Sequence, residues 1–163
     1  MFPQNFYHET QELLHTCSEK DLKIAVAESC TGGLIGGLIT AIPGSSDVFD
    51  RGFIAYTNQA KGELLGVPAH IFMVQGAVSK ECACAMAEGA IERSKASLGI
   101  SATGIAGPSG ATADKAVGLV HIACARTGFA TLHEQYNFKG DREHVREQAV
   151  AHAIKLMNKL ANL

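Results

Sequence analysis

Three short apolar runs constrain the fold more than any other feature of this chain: LKIAVAE at 22–28, RGFIAYT at 51–57 and LGISATG at 98–104. Each has the length of a strand and ends at a corner of small, polar or glycine residues. Helical patterns lie around them. Residues 4–18 place Phe6, Leu13, Leu14 and Cys17 near one face, TGGLIGGLITAI at 31–42 is a glycine-rich helix, a short helix starts at 58, and a longer one covers 78–94 from Val78 or Ser79. Two further runs, 117–125 and 130–138, are separated by RTGF, which predicts a hairpin. Gly140 and Asp141 cap a last helix ending near 161. Alternating strands and helices followed by a hairpin predict a single domain over 1–163, an α/β protein of three α/β/α layers around a mixed sheet. In such sheets ligands sit beyond the carboxyl ends of parallel strands, so the corners at 28–33, 55–61 and 103–110 are the candidate site.

Charge and composition narrow the function. Fourteen basic and 16 acidic residues give a net charge of −2, which argues against a nucleic-acid partner. No apolar run approaches the ~18 residues of a membrane span. The opening MFPQNFYHETQELL has neither a basic nor an apolar signal region. Five cysteines without a CxxC and seven histidines without an HxxxH pair indicate neither a disulfide framework nor a metal site. A reduced, cytoplasmic protein without cofactor is expected.

In AESCTGG, strand 22–28 delivers Glu28, Ser29, Cys30 and Thr31 onto a helix start. Free N–H groups there favour anions and polar ligand atoms, and Gly32 and Gly33 allow close approach. Glu28 is either a ligand to substrate or a strand-end carboxylate held by backbone N–H groups. Cys30 is a rival nucleophile, because a helix start lowers a thiol pKa. Ser46, in the turn PGSS, is open between a cap and a nucleophile. Lys61 lies between Ala60 and Gly62 and could act as a base if buried. Tyr56 ends its strand where its hydroxyl can reach a polar corner. Thr103 and Gly104 open a loop whose N–H groups could help form an oxyanion hole. Arg142 and Arg146 stand four apart at a helix start, a placement that either a nucleotide phosphate or local pairing with Asp141, Glu143 or Glu147 would offset.

AESCTGG, GSS with RGFIAYTNQAK, GAVS, SATGIAGPSG and GDREHVR occur in the order and spacing of one family. The chain resembles the C-terminal domain of the competence/damage-inducible protein CinA, which also exists as a stand-alone nicotinamide-nucleotide amidase. The likeness covers roughly 5 to 160 and implies a sheet of five strands. It implies metal-independent hydrolysis of nicotinamide mononucleotide to nicotinic acid mononucleotide and ammonia. It also implies Ser46 as nucleophile, with Lys61 and Tyr56 assisting, and Arg142 as the matching arginine of the GDR motif. Glu28, Ser29, Cys30, Thr31, Gly32, Thr103 and Gly104 are then expected to bind the pyridine nucleotide. At 163 residues the chain is expected to lack the family's other, pyrophosphatase-linked domain. Gln75 stands where the family usually has histidine, and Gly110-Ala111 and Lys115-Ala116 depart from its usual second glycine and KP. A non-catalytic nucleotide-binding module and a thiol-dependent redox protein using Cys30 are the competing readings. The glycine-rich helix at 31–42 and the apolar N-terminal helix are expected to support a homo-oligomer.

Overall fold

A computed structural model describes residues 1–163. The elements run α1 (Gln4–Glu19), β1 (Ile24–Glu28), α2 (Leu34–Thr40), a 3-10 turn (Ser45–Asp47), β2 (Phe49–Ile54), α3 (Asn58–Leu65), α4 (Ala69–Val74) and α5 (Lys80–Glu92). β3 (Leu98–Gly104), β4 (Leu119–Arg126), β5 (Leu132–Asn137) and α6 (Arg142–Ala161) complete the chain. The five strands form one sheet in the order β2-β1-β3-β4-β5. β1 pairs in parallel with both β2 and β3, while β4 and β5 are antiparallel. The expected three-layer architecture and mixed sheet are present. α2 is shorter at its start than expected, because Gly32 and Gly33 take left-handed φ values of 57° and 99° and keep 31–33 in a turn. The sequence pattern did not resolve α4.

Helix starts follow their caps. Thr57, Ser79 and Asp141 each accept a backbone N–H three residues on, from Ala60, Cys82 and His144. β1 is buried along its whole length, as a strand with neighbours on both sides and helices on both faces must be.

The two faces differ in how closely helices approach. On one, α1, α2 and α6 bury large side chains such as Leu13, Ile35, Leu38, Ile154 and Met157 against Val26, Ile100 and Ile122. On the other, Ala83 and Ala87 of α5 meet Ala123 and Ala125 of β4. A Cβ at Gly99 would lie 2.4 Å from Ala87 O, and one at Gly89 would lie 2.0 Å from Leu65 O. Glycine there lets backbones touch. Near the start of α5, His121 and His133 stack and share a 2.9 Å hydrogen bond between ring nitrogens. No helix is long and apolar enough to cross a membrane.

Gly89→Ala forces α5 away from α3 and is expected to cost about 1–3 kcal/mol, the usual penalty of overpacking; the measurement is the Tm. Burial first, then the neighbouring His133 and Lys115, hold the His121 pKa down at about 4, against an ordinary 6.5, with Glu81 opposing. The unfolded chain binds that proton more readily, so stability is present above pH 6.5 and is lost as pH falls toward 4. Urea unfolding of His121→Gln should lose less stability over that window than wild type.

Candidate active site

The site begins at the end of β1. Glu28 has no exposed surface. Its Oε2 accepts from the N–H groups of Gly33 and Ile35, at 3.0 and 3.1 Å, and its Oε1 from Gly36 at 2.8 Å. The carboxylate therefore fills the start of α2 that the sequence left free for a ligand anion. Glu28 is the strand-end carboxylate of the two alternatives, not a substrate ligand.

Ser29 follows directly. Its N–H donates to Ala102 O, and its Oγ accepts a 3.0 Å hydrogen bond from Lys61 Nζ. Lys61 is only 2% exposed, in α3. Its second bond goes to the carbonyl of Tyr56, also at 3.0 Å. Ala25, Ala27, Ala55, Leu65 and Cys82 belong to the core cluster of ten buried residues on this face of the sheet. Burial lowers the Lys61 pKa below its usual 10.5, against weaker opposing effects of Cys82 and Cys30. No carboxylate pairs with it. An amine shifted toward neutrality by burial and within hydrogen-bond reach of a serine hydroxyl is the arrangement of a base and its nucleophile.

The other expected residues divide. Ser46 is exposed and lies in the 3-10 turn before β2. That turn adjoins the amino end of β1, where Ile24 N–H meets Val48 O and Lys23 Nζ meets Asp47 O. The length of β1 separates it from Ser29 by roughly 16 Å. Lys61 thus contacts Ser29 and not Ser46, because β1 and β2 are parallel and a residue before β2 falls at the opposite edge. Tyr56 meets Lys61 only through its carbonyl; its side chain is 59% exposed and its hydroxyl accepts from Arg142 Nη2 at 3.1 Å. Arg142 Nη1 also donates to Gly107 O at 2.9 Å.

Cys30 is buried, and desolvation pushes its thiol up to about 12, so it is no nucleophile at neutral pH. Its carbonyl and that of Thr31 accept from Arg146, at 3.1 and 3.2 Å. Thr31 Oγ1 is buried without a partner. Gly32 supplies the left-handed turn beside Arg146. Thr103 Oγ1 donates to Ala77 O at 2.8 Å and holds the segment before α5. Gly104 lets β4 approach, since a Cβ there would lie 2.7 Å from Leu119 O. A cavity of about 630 Å³ opens on the α6 side, lined by Phe2 and Leu34, by Arg142 and Arg146, and by the carboxylates Asp141, Glu143 and Glu147; neither Ser29 nor Lys61 lines it. The charge of Arg146 beside a helix start is the sequence signal for its contact with this turn.

The sequence profile of the CinA C-terminal domain matches residues 7–161. The chain belongs to this family. A putative competence-damage inducible protein of Caldicellulosiruptor saccharolyticus is 50% identical over 141 residues, covering 86% of this chain and 34% of the relative. A CinA-like protein of Anaeromyxobacter sp. (strain Fw109-5) is 47% identical over 135 residues, 83% of this chain and 33% of its own length. The chain thus spans about a third of the curated relatives it matches. The crystal structure of competence/damage inducible protein CihA from Agrobacterium tumefaciens superposes with a TM-score of 0.96 at 40% identity, covering 100% of this chain and 99% of that one. A competence-damaged protein (CinA) superfamily protein from Escherichia coli gives 0.91 at 31% identity, covering 100% and 94%.

In this CinA domain Glu28→Gln turns an NH2 donor toward N–H donors. It is expected to cost about 1–3 kcal/mol, the penalty of an unmade buried hydrogen bond. Denaturant unfolding measures the loss, and an unchanged midpoint would remove the capping role.

Proposed function

We propose that the chain is a metal-independent amidohydrolase that converts nicotinamide mononucleotide to nicotinic acid mononucleotide and ammonia, with Ser29 as nucleophile and Lys61 as base. The 3.0 Å contact between Lys61 Nζ and Ser29 Oγ carries the reading. The family likeness supplies the substrate. Membership in the CinA family and the guanidinium of Arg142 at the rim of the corner are in keeping with a nucleotide.

Ser29 Oγ bonds to the carboxamide carbon while its proton passes to Lys61 Nζ and the carbonyl π pair moves to oxygen. When the carbonyl re-forms, the C–N bond breaks and Lys61 returns the proton to the departing nitrogen, giving ammonia and an ester of Ser29. Water then adds to the ester, leaving a proton on Lys61. The C–Oγ bond breaks, and that proton returns to Ser29. The acid formed gives its own proton to ammonia in solution. Burial of Lys61 serves this cycle, since only the neutral amine accepts the serine proton. Arg142 exchanges Tyr56 and Gly107 O for the nucleotide phosphate.

The test is ammonia release from nicotinamide mononucleotide with a chelator present. Ser29→Ala and Lys61→Ala should each lose about 10⁴-fold or more in kcat, while Ser46→Ala keeps it. Lys61→Arg should not rescue, because arginine stays charged. The kcat/KM of wild type should rise with pH through an inflection below 10.5, as Lys61 loses its proton. Full turnover in Ser29→Ala would sink the assignment. Nucleotide binding without turnover in wild type would favour a non-catalytic binding module.

A further inference from the structure

We propose that Arg146 is a positioning residue that aims the Thr31 N–H at the carboxamide oxygen, making that group the oxyanion donor of the Ser29 reaction. The inference rests on Ser29 as nucleophile. In the turn after β1 the N–H groups of Cys30 and Thr31 have no acceptor, and Thr31 alone adds an unpaired buried hydroxyl. Ser29 N–H donates to Ala102 O, Gly32 N–H to Ser29 O, and Gly33 N–H to Glu28 Oε2. Thr31 N–H has no acceptor, and neither does the buried Thr31 Oγ1. Buried donors are almost always paired in folded proteins. One residue holding two unpaired donors, two positions beyond Ser29, awaits an acceptor that the free protein does not provide.

Arg146 sets the direction. Its Nε and Nη2 draw the Cys30 and Thr31 carbonyls toward α6. The Cys30–Thr31 peptide is trans, and in a trans peptide the N–H points opposite to the carbonyl. The Thr31 N–H is therefore turned away from α6, toward the α3 and α5 side of the sheet where Lys61 lies. Nη2 lies 3.4 Å from the Cβ position of Gly32, so the guanidinium backs the turn closely. As Ser29 Oγ bonds to carbon and its proton moves to Lys61, the π pair gathers on the carbonyl oxygen, and Thr31 N–H and Oγ1–H meet that charge. In the loop from Thr103 to Pro108, which could also offer such donors, Ile105 N–H donates to Leu119 O, while the Ala106 and Gly107 N–H groups have no acceptor.

Ammonia release from nicotinamide mononucleotide is measured for wild type, Ser29→Ala, Arg146→Ala and Arg146→Lys. Loss of one oxyanion donor removes about 10²–10³ in kcat, so Arg146→Ala should fall by that much with KM little changed. Arg146→Lys keeps charge but not the fork, and carries the test if Arg146→Ala does not fold. Affinity for pyridine-3-boronic acid, which forms a tetrahedral adduct on a serine, should fall in step with kcat. Wild-type kcat in the Arg146 variants, with Ser29→Ala inactive, overturns the role of Arg146 and leaves the nucleophile standing. A kcat loss with unchanged boronate affinity assigns Arg146 to structure alone and also overturns it. Turnover in Ser29→Ala removes both readings together.

Discussion

Glu28 is a carboxylate with no exposed surface whose two oxygens accept three backbone N–H groups at the start of α2. Such a group folds in only when fully hydrogen-bonded, and the N–H groups of a helix start are the partners that need a carboxylate in return. Closing this loop requires the chain to turn back within 29–33, which the left-handed Gly32 and Gly33 permit. Ser29 is thereby held at the first position past the sheet, with its hydroxyl on the Lys61 side. The polar corner is ordered by the protein's own anion before any ligand arrives.

The second constraint is closeness on the α5 face. Alanine and glycine dominate there, and large side chains fill the opposite face. The result is a thin layer in which Lys61 of α3 is buried, its amine bonded only to Ser29 Oγ and Tyr56 O. Burial shifts Lys61 toward neutrality without any charged partner to undo it. A larger residue at these positions would lift α5 or α3 and admit water to the amine. Packing and chemistry are thus set by the same small side chains.

The strands, the mixed sheet and the caps at Ser79 and Asp141 were legible because period, length and capping residues are local signals. The convergence of Ser29 with Lys61 was only partly so. Ser29 follows β1 and Lys61 follows β2, and parallel neighbours bring those ends together. The same topology sends Ser46, which precedes β2, to the far edge, so strand direction outweighed the family likeness at that residue. Tyr56 lies two residues past the end of β2, which stops at Ile54 and not at 57, and its hydroxyl meets Arg142, 86 residues away. The partner of Glu28 was open between two alternatives for the same reason: a carboxylate at a strand end does not announce whether its donors will be protein or ligand. The pair of histidines on β4 and β5 carried no sequence signal, since their meeting depends on hairpin register.

β1 is flanked by strands on both edges and covered on both faces, and all five of its residues are buried. Its amides belong to the class that exchanges with solvent only when the whole domain opens. Ser29 is attached to the end of this least yielding element, whereas Tyr56 and Arg142, which bridge the rim, hang from an edge strand and a helix start. The rigid and the yielding parts of the corner are therefore separate. Ser29 is thus anchored to a fully buried backbone, and adjustment to an incoming molecule falls to side chains at the rim that can change partners without disturbing it.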